Sequence, residues 1–316
     1  MEKKTLTFAN LPACINLEQL QADIAILGIP HGTPYDLNDL HSIHAPQALR
    51  KESIRYTDDP IAWDFDLDGP LLGNGIIKVV DCLDVPGIPE APTYNKQAAI
   101  KATRQILKAG AVPVVLGGDD SIPIAVFQAF SDQPPFTILQ LDAHIDWRDE
   151  VNGIKDGYSS TMRRASEMPW IFGIIQVGTH GVGSAREEEI QAARAYGTKI
   201  ITAAQYRQGG IQAMTQHLPP GSRVFISMDY DVLDLSIMPA VGAPSPGGLL
   251  YADVLNLFKT IIHNYDVVGV NLVEFAPELD TYGLGTITAT RVAWITIGSL
   301  VQKISNLTRA KTTKET

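Results

Sequence analysis

A three-layer αβα sandwich around a mainly parallel sheet is what this 316-residue sequence predicts, and three observations carry it. Seven short runs are apolar with little alternation, the pattern of strands covered on both faces. Stretches of helical period separate them, as parallel strands joined by crossovers require. Hydrophobic residues make up 45% of the chain and charged residues 19%, enough apolar side chain for a sizeable core. One domain spanning residues 1–316 is expected, because α/β chains of this length often form one. A closed eight-fold barrel is the rival arrangement, since it uses the same alternation.

In chain order, strands are expected at 25–29 (AILGI), 76–80 (IIKVV), 112–116 (VPVVL), 136–141 (FTILQL), 174–177 (IIQV), 224–228 (VFISM) and 267–273 (VVGVNLV). Helical patterns fill 96–108, 122–130, 185–196, 251–263 and 288–304. From about residue 308 the chain turns polar and loses periodicity, so 308–316 is expected to be a flexible tail.

Charge and composition exclude several functional classes. Thirty-five acidic against 25 basic side chains give a net charge of −10, which argues against nucleic-acid and anionic-membrane partners. No uninterrupted apolar stretch reaches the roughly 18 residues of a membrane span. Glu18 and Asp23 interrupt the N-terminal region before any apolar run, unlike a secretory signal. Cys14 and Cys82 give neither a disulfide framework nor a zinc spacing, so buried free thiols in a reducing, cytoplasmic compartment are expected.

In open α/β sheets the chemistry gathers where strands end at their carboxyl edge. Four apolar runs end in polar clusters: Gly117 to Ser121 (GGDDS), Asp142 to Asp146 (DAHID), Asp229 to Asp231 (DYD) and Glu274 to Pro277 (EFAP). In extended chain Asp142, His144 and Asp146 would point to one side, as would Asp229 and Asp231. Four carboxylates and an imidazole suit divalent cations of the manganese type. Two such ions about 3.5–4 Å apart share carboxylates and lower the pKa of bound water. A lone D-x-D is ordinarily a turn or a helix cap. Several acidic strand ends in one sheet are different, because they repel unless a cation neutralises them.

GGDDS (117–121), DAHID (142–146), SMDYDVLDLSIMPAVGAPSPGG (227–248) and VEFAP (273–277) occur in that order behind AILGIPHGTPYD (25–36) and HAPQALRKES (44–53). Together they resemble the ureohydrolase family of arginases and agmatinases. The resemblance implies an arginase-like αβα fold, two Mn2+ or Ni2+ ions, hydrolysis of a guanidino C–N bond, and assembly as a trimer or hexamer. It also implies roles. Asp142 and Asp229 would bridge the metals, and His144 and Asp231 would complete one site. Asp146 would complete the other and hold the nucleophile. Glu274 would pair with the guanidinium, and Gly247 and Gly248 would let backbone approach the pocket.

Two departures from the family pattern matter most. The family reads GGDHS, with the histidine a metal ligand; here that position is Asp120, shorter and negatively charged. The family also carries a histidine shortly before an Arg-Arg-Ala element, as proton shuttle to the leaving amine. Here that position falls on Tyr158, and a phenol of pKa near 10 shuttles protons poorly at neutral pH. Leu235, Ala243 and Ala45 replace the usual proline, threonine and glycine. Trp147 reads as a plug for its loop, and His31, His41 and His44 as neighbours of the pocket mouth rather than ligands.

The expectation is a ureohydrolase-family subunit for guanidino or biguanide hydrolysis to an amine and a urea-type product. Such a chain would hold two ions if intact, and one or none given Asp120. Alone it would be poorly active, a pseudoenzyme subunit paired with an intact homologous subunit in a hetero-oligomer. The alternative is a fully active agmatinase or guanidino-acid hydrolase with an unusual Asp ligand.

Overall fold

The computed structural model describes residues 5–36, 42–56, 62–182 and 185–315, with side chains only as far as residue 310. His41 lies outside these residues. The chain begins with β1 (Ile24–Ile29), α1 (Ala45–Ser53), a small hairpin of β2 (Trp63–Asp64) and β3 (Gly69–Pro70), then β4 (Val79–Asp84) and α2 (Pro92–Lys108). There follow β5 (Val112–Gly117), α3 (Ile122–Ala129), β6 (Phe136–Leu141), α4 (Thr161–Ser166), β7 (Ile171–Thr179), α5 (Glu187–Tyr196) and β8 (Lys199–Thr202). The last third holds α6 (Ala203–Gly209), α7 (Gln212–Thr215), β9 (Arg223–Asp229), α8 (Tyr251–Asn264), β10 (Asp266–Val273) and α9 (Leu284–Glu315).

Eight strands form one parallel sheet in the order β4-β1-β5-β10-β9-β6-β7-β8. The sheet is open, with β4 and β8 at its edges, so the barrel alternative is excluded. One face is buried under α1, α6, α7, α8 and α9, the other under α2 to α5. Covering both faces is why the central strands carry almost unbroken apolar runs. In the second layer the ring of Phe225 meets those of Phe127 and Phe130 edge-on, with centroids 5.2 and 5.5 Å apart. Such pairs contribute about 0.5–1.5 kcal/mol each beyond their buried area.

Two expectations differ from the structure, and one strand was not foreseen. The strand read at 76–80 runs instead from Val79 to Asp84. Its middle residue Asp81 is fully buried, yet it accepts bonds from Arg50 Nε (2.8 Å), Arg50 Nη2 (3.0 Å) and the Phe8 amide (2.7 Å). A charge so compensated can occupy a strand interior, which a search for apolar runs overlooks. The edge strand β8 escaped because it has four residues and begins with Lys199, the short, charged type that protects edges. Finally, α9 carries on to Glu315 through the residues expected as a tail. Once its earlier turns are packed, each further residue adds a hydrogen bond without a new nucleation cost. The stretch Leu284–Ala310 is long and apolar enough to cross a membrane, but 78% of its most apolar window is buried within the fold.

The strand order positions the chemistry. β5, β10, β9 and β6 are consecutive in the sheet, so the carboxyl ends bearing Asp120, Glu274, Asp229 and Asp142 lie side by side.

Candidate metal centre

Each acidic residue is held by the turn its strand runs into. After β5, Gly118 passes so close to the carbonyl oxygen of Pro30 that a Cβ would meet it at 2.4 Å, which admits only glycine. The loop then places Asp120, whose amide donates to Glu274 Oε1 (2.8 Å) and whose carbonyl accepts from the Thr161 hydroxyl. Glu274 has a left-handed backbone (φ +66°), and its amide donates to Gly118 O at 2.8 Å. The β5 and β10 exits are thereby stitched together.

After β6 the chain does not stay extended, as the alternation argument supposed. The strand stops at Leu141, the His144 amide folds back to donate to Asp142 Oδ1 (2.6 Å), and Asp146 adopts φ +50°. The convergence of Asp142, His144 and Asp146 is thus a property of a turn with a strained residue, not of strand periodicity. After β9, Asp229 Oδ1 accepts from the Asp231 amide (2.7 Å), and Asp231 Oδ1 accepts from the Ala143 amide (3.1 Å).

All eight residues singled out from the sequence come together at this edge. Asp120, His144, Asp146, Tyr158, Asp229, Asp231 and Glu274 line a cavity of about 210 Å3. Asp142 joins them in two groups whose ligand atoms lie within 4.8 Å of one another: Asp142, His144 and Asp231, and Asp120, Asp142 and Asp229. Asp146 belongs to neither group at that distance, although its charge is among the neighbours that raise Asp120.

None of the six carboxylates is more than 7% exposed. Burial first, and then the neighbouring charges, push Asp120, Asp142 and Asp229 well above the usual carboxylate range. For Asp120 those neighbours are Asp146, Asp142 and Glu274. Burial acts against a charge on His144, but its Nδ1 lies 3.0 Å from Asp231 Oδ2 and 3.5 Å from Asp142 Oδ1, and the imidazole is pushed up to about 12. Asp231 moves the other way: burial opposes its charge, but the hydrogen bond and charge of His144 hold it low.

The donors fit a pair of divalent cations. Asp120 Oδ2 is buried with no hydrogen-bond donor facing it, the condition of an oxygen awaiting a positive partner. One group offers three carboxylates and the other two carboxylates and an imidazole, a hard-oxygen set with one nitrogen that suits divalent cations rather than a thiolate-loving metal.

The surroundings refine the other expectations. Trp147 is 3% exposed, packed in the core with its ring 5.8 Å from that of Tyr196, so it plugs the loop. The rings of Tyr158 and Tyr35 pack at a tilt with centroids 4.4 Å apart, and Tyr35 Oη accepts from the Ser159 amide at 3.1 Å. Ala243 lines the cavity, whereas Leu235 is exposed. At Gly248 a Cβ would meet the backbone of residues 232–234 at 2.6 Å, so the close approach there is onto the loop that follows Asp231. His31, His44 and His180 enter neither ligand group.

Sequence reasoning missed Gln140 and Gln176. Gln140 lies beneath the site with Nε2 2.6 Å from Asp142 Oδ2 and 2.5 Å from Asp146 Oδ2. The signal was present as one amide in each of two apolar runs, FTILQL and IIQV, whose alignment across the sheet the sequence does not reveal.

Comparison with known proteins adds an independent line. A family model described as the Arginase family matches residues 22–298. The proclavaminate amidinohydrolase of Streptomyces clavuligerus is 27% identical over 282 residues, covering 85% of each chain. An agmatinase of Pyrococcus horikoshii is 27% identical over 88% of this chain and 92% of its own. The solved structure of the Streptomyces clavuligerus enzyme superposes with a TM-score of 0.83 at 25% identity, covering 95% of this chain and 98% of that one.

Proposed function

The chain belongs to the arginase family of metal-dependent amidinohydrolases, and on that premise we propose that it serves hydrolysis of a small cationic guanidine or biguanide as the less competent subunit of a hetero-oligomer. The products are an amine and a urea-type compound. The observation that carries this reading is the contrast between the two ligand groups: Asp142, His144 and Asp231 include an imidazole, whereas Asp120, Asp142 and Asp229 are carboxylates alone.

Asp142, His144 and Asp231 would hold one divalent cation, Mn2+ or Ni2+, and Asp120, Asp142 and Asp229 a second. When bound, such ions supply Lewis acidity that makes water a nucleophile at neutral pH. The protein's own groups do the rest. Glu274 lines the cavity and would receive the guanidinium in a charge-assisted pair, while its Oε1 holds the Asp120 amide. No lysine or arginine occurs among the described residues lining the cavity, so no cationic Lys or Arg among them would pair with a substrate carboxylate. That favours a guanidine or biguanide without an acid group. The departing amine needs a proton, and the group at the expected donor position is the Tyr158 hydroxyl, a weak acid at neutral pH. Asp120 adds a negative charge where the family pattern has a neutral ligand, which weakens the balance on which a bound nucleophile depends. A homologous subunit with both histidines would supply what this chain lacks.

Metal analysis and urea release on the chain expressed alone, compared with the chain co-purified from its source, test the reading. Fewer than two ions per chain and no urea from guanidines when alone, with both restored by the partner, are expected. Two ions per chain and urea release without a partner would establish the alternative, a self-sufficient guanidino hydrolase with an aspartate ligand.

A further inference from the structure

We propose that Gln140, aimed by Gln176, is a positioning residue that fixes Asp142 and Asp146 for cation binding; this rests on the metal-dependent reading of the site above. The two glutamines are register partners on β6 and β7, 1% and 0% exposed, one layer below the carboxylates. Gln140 Nε2 has two hydrogens, and both are directed at the acidic turn: one to Asp142 Oδ2 at 2.6 Å, the other to Asp146 Oδ2 at 2.5 Å. An amide's two N–H bonds have a fixed fork, so these two oxygens cannot shift independently. Asp142 is the residue common to both ligand groups, so fixing it bears on both ions.

The direction of the amide is set from behind. Gln176 Nε2 donates to Gln140 Oε1 (2.5 Å) and to the carbonyl of Ile145 (2.8 Å), the residue before Asp146. If the Gln140 amide turned over, its carbonyl would face two carboxylates and its NH2 would face the NH2 of Gln176. Both contacts would be repulsive, and at this depth water does not relieve them. A pair that existed only to satisfy itself would look different. Here Gln176 Oε1 is left without a donor, and both Gln140 hydrogens go to the carboxylates. The arrangement sacrifices internal satisfaction to present donors to the acidic turn.

The experiment measures Mn2+ and Ni2+ affinity by chelator competition, and the Tm of the metal-free protein, on the full chain and its Gln140→Met and Gln176→Met variants. Supporting partners of metal ligands typically contribute 10–100-fold in affinity, and a loss of about that size is expected for Gln140→Met. Gln176→Met should lose affinity in the same direction by a smaller factor. A purely structural role would lower the metal-free Tm and leave affinity within about twofold of the unaltered chain, a small fraction of that range, and that result overturns the proposal. Should Gln140→Met fail to fold, Gln176→Met decides alone: unchanged affinity refutes the relay. An unaltered chain that binds neither ion removes the metal reading itself and the relay with it. Binding by the unaltered chain with both variants unchanged removes the relay only.

Discussion

Asp142, His144 and Asp231 differ from Asp120, Asp142 and Asp229 in how their charge is resolved, although the groups share a residue and a sheet edge. In the first, the imidazole of His144 lies within hydrogen-bonding reach of Asp231 and holds it ionised. In the second, no basic side chain stands among the ligands, and all three carboxyls are driven toward their neutral form. One position accounts for the contrast. An imidazole at residue 120 would give the second group the composition of the first, and the chain has aspartate there. Fold and strand order are therefore compatible with a balanced or an unbalanced centre, and a single side chain selects between them.

Removing the shared residue is the most severe way to break the comparison. Asp142→Asn should abolish cation uptake by both groups, a loss beyond the roughly 10–100-fold typical of supporting partners. Isothermal titration with Mn2+ reads this, and a variant that keeps the unaltered chain's Mn2+ stoichiometry and affinity would show that Asp142 is not common to both sites. The next largest effect is a gain. Asp120→His combined with Tyr158→His should raise metal content toward two ions per chain after dialysis, the number a binuclear centre requires. Unchanged metal content by elemental analysis would mean that Asp120 is not the defect.

Within these groups Asp231 responds to pH in the metal-free chain in the opposite direction from the rest. Asp120, Asp142 and Asp229 have folded-state pKa values above the ordinary value near 3.9, so the folded state binds more protons than the unfolded one. Stability should therefore fall as pH rises from that value upward. His144, raised to about 12, acts in the same direction above its ordinary value near 6.5. Asp231, held low, contributes stability above its ordinary value that is lost as pH falls through its folded pKa. Asp146 is raised as well, so Asp231 alone opposes the rest, and chelated protein should melt at a lower temperature at pH 8 than at pH 5. A higher Tm at pH 8 would refute the crowding. The smallest effect is expected at the rim: Tyr35→Phe removes the acceptor for the Ser159 amide, worth about 1 kcal/mol. Faster hydrogen exchange at residues 157–160 without a change in metal affinity would place Tyr35 outside the centre.

Much of this was legible in the sequence, for identifiable reasons. Unbroken apolar runs mark the central strands because both faces are covered, and strand ends are where their polar clusters stand out. The motifs at Asp120, Asp142, Asp229 and Glu274 could therefore be found one by one. What escaped was whatever depends on partners distant in sequence. Asp81 looks wrong for a strand until Arg50 is seen against it. Gln140 and Gln176 look like blemishes in apolar runs until their register brings them together. The left-handed turns at Asp146 and Glu274 leave no trace in residue type, since neither is glycine.

The strand order has a consequence for biosynthesis. β9 and β10 are the last strands to be made, yet they occupy the middle of the sheet, between β5 and β6. As the chain leaves the ribosome, β4, β1 and β5 on one side and β6, β7 and β8 on the other can pair only as two half-sheets, each with a bare inner edge prone to mispairing. The wedge that joins them also brings Asp229 and Glu274, so the ion-binding basket closes in the same event that seals the nascent chain's most vulnerable edges.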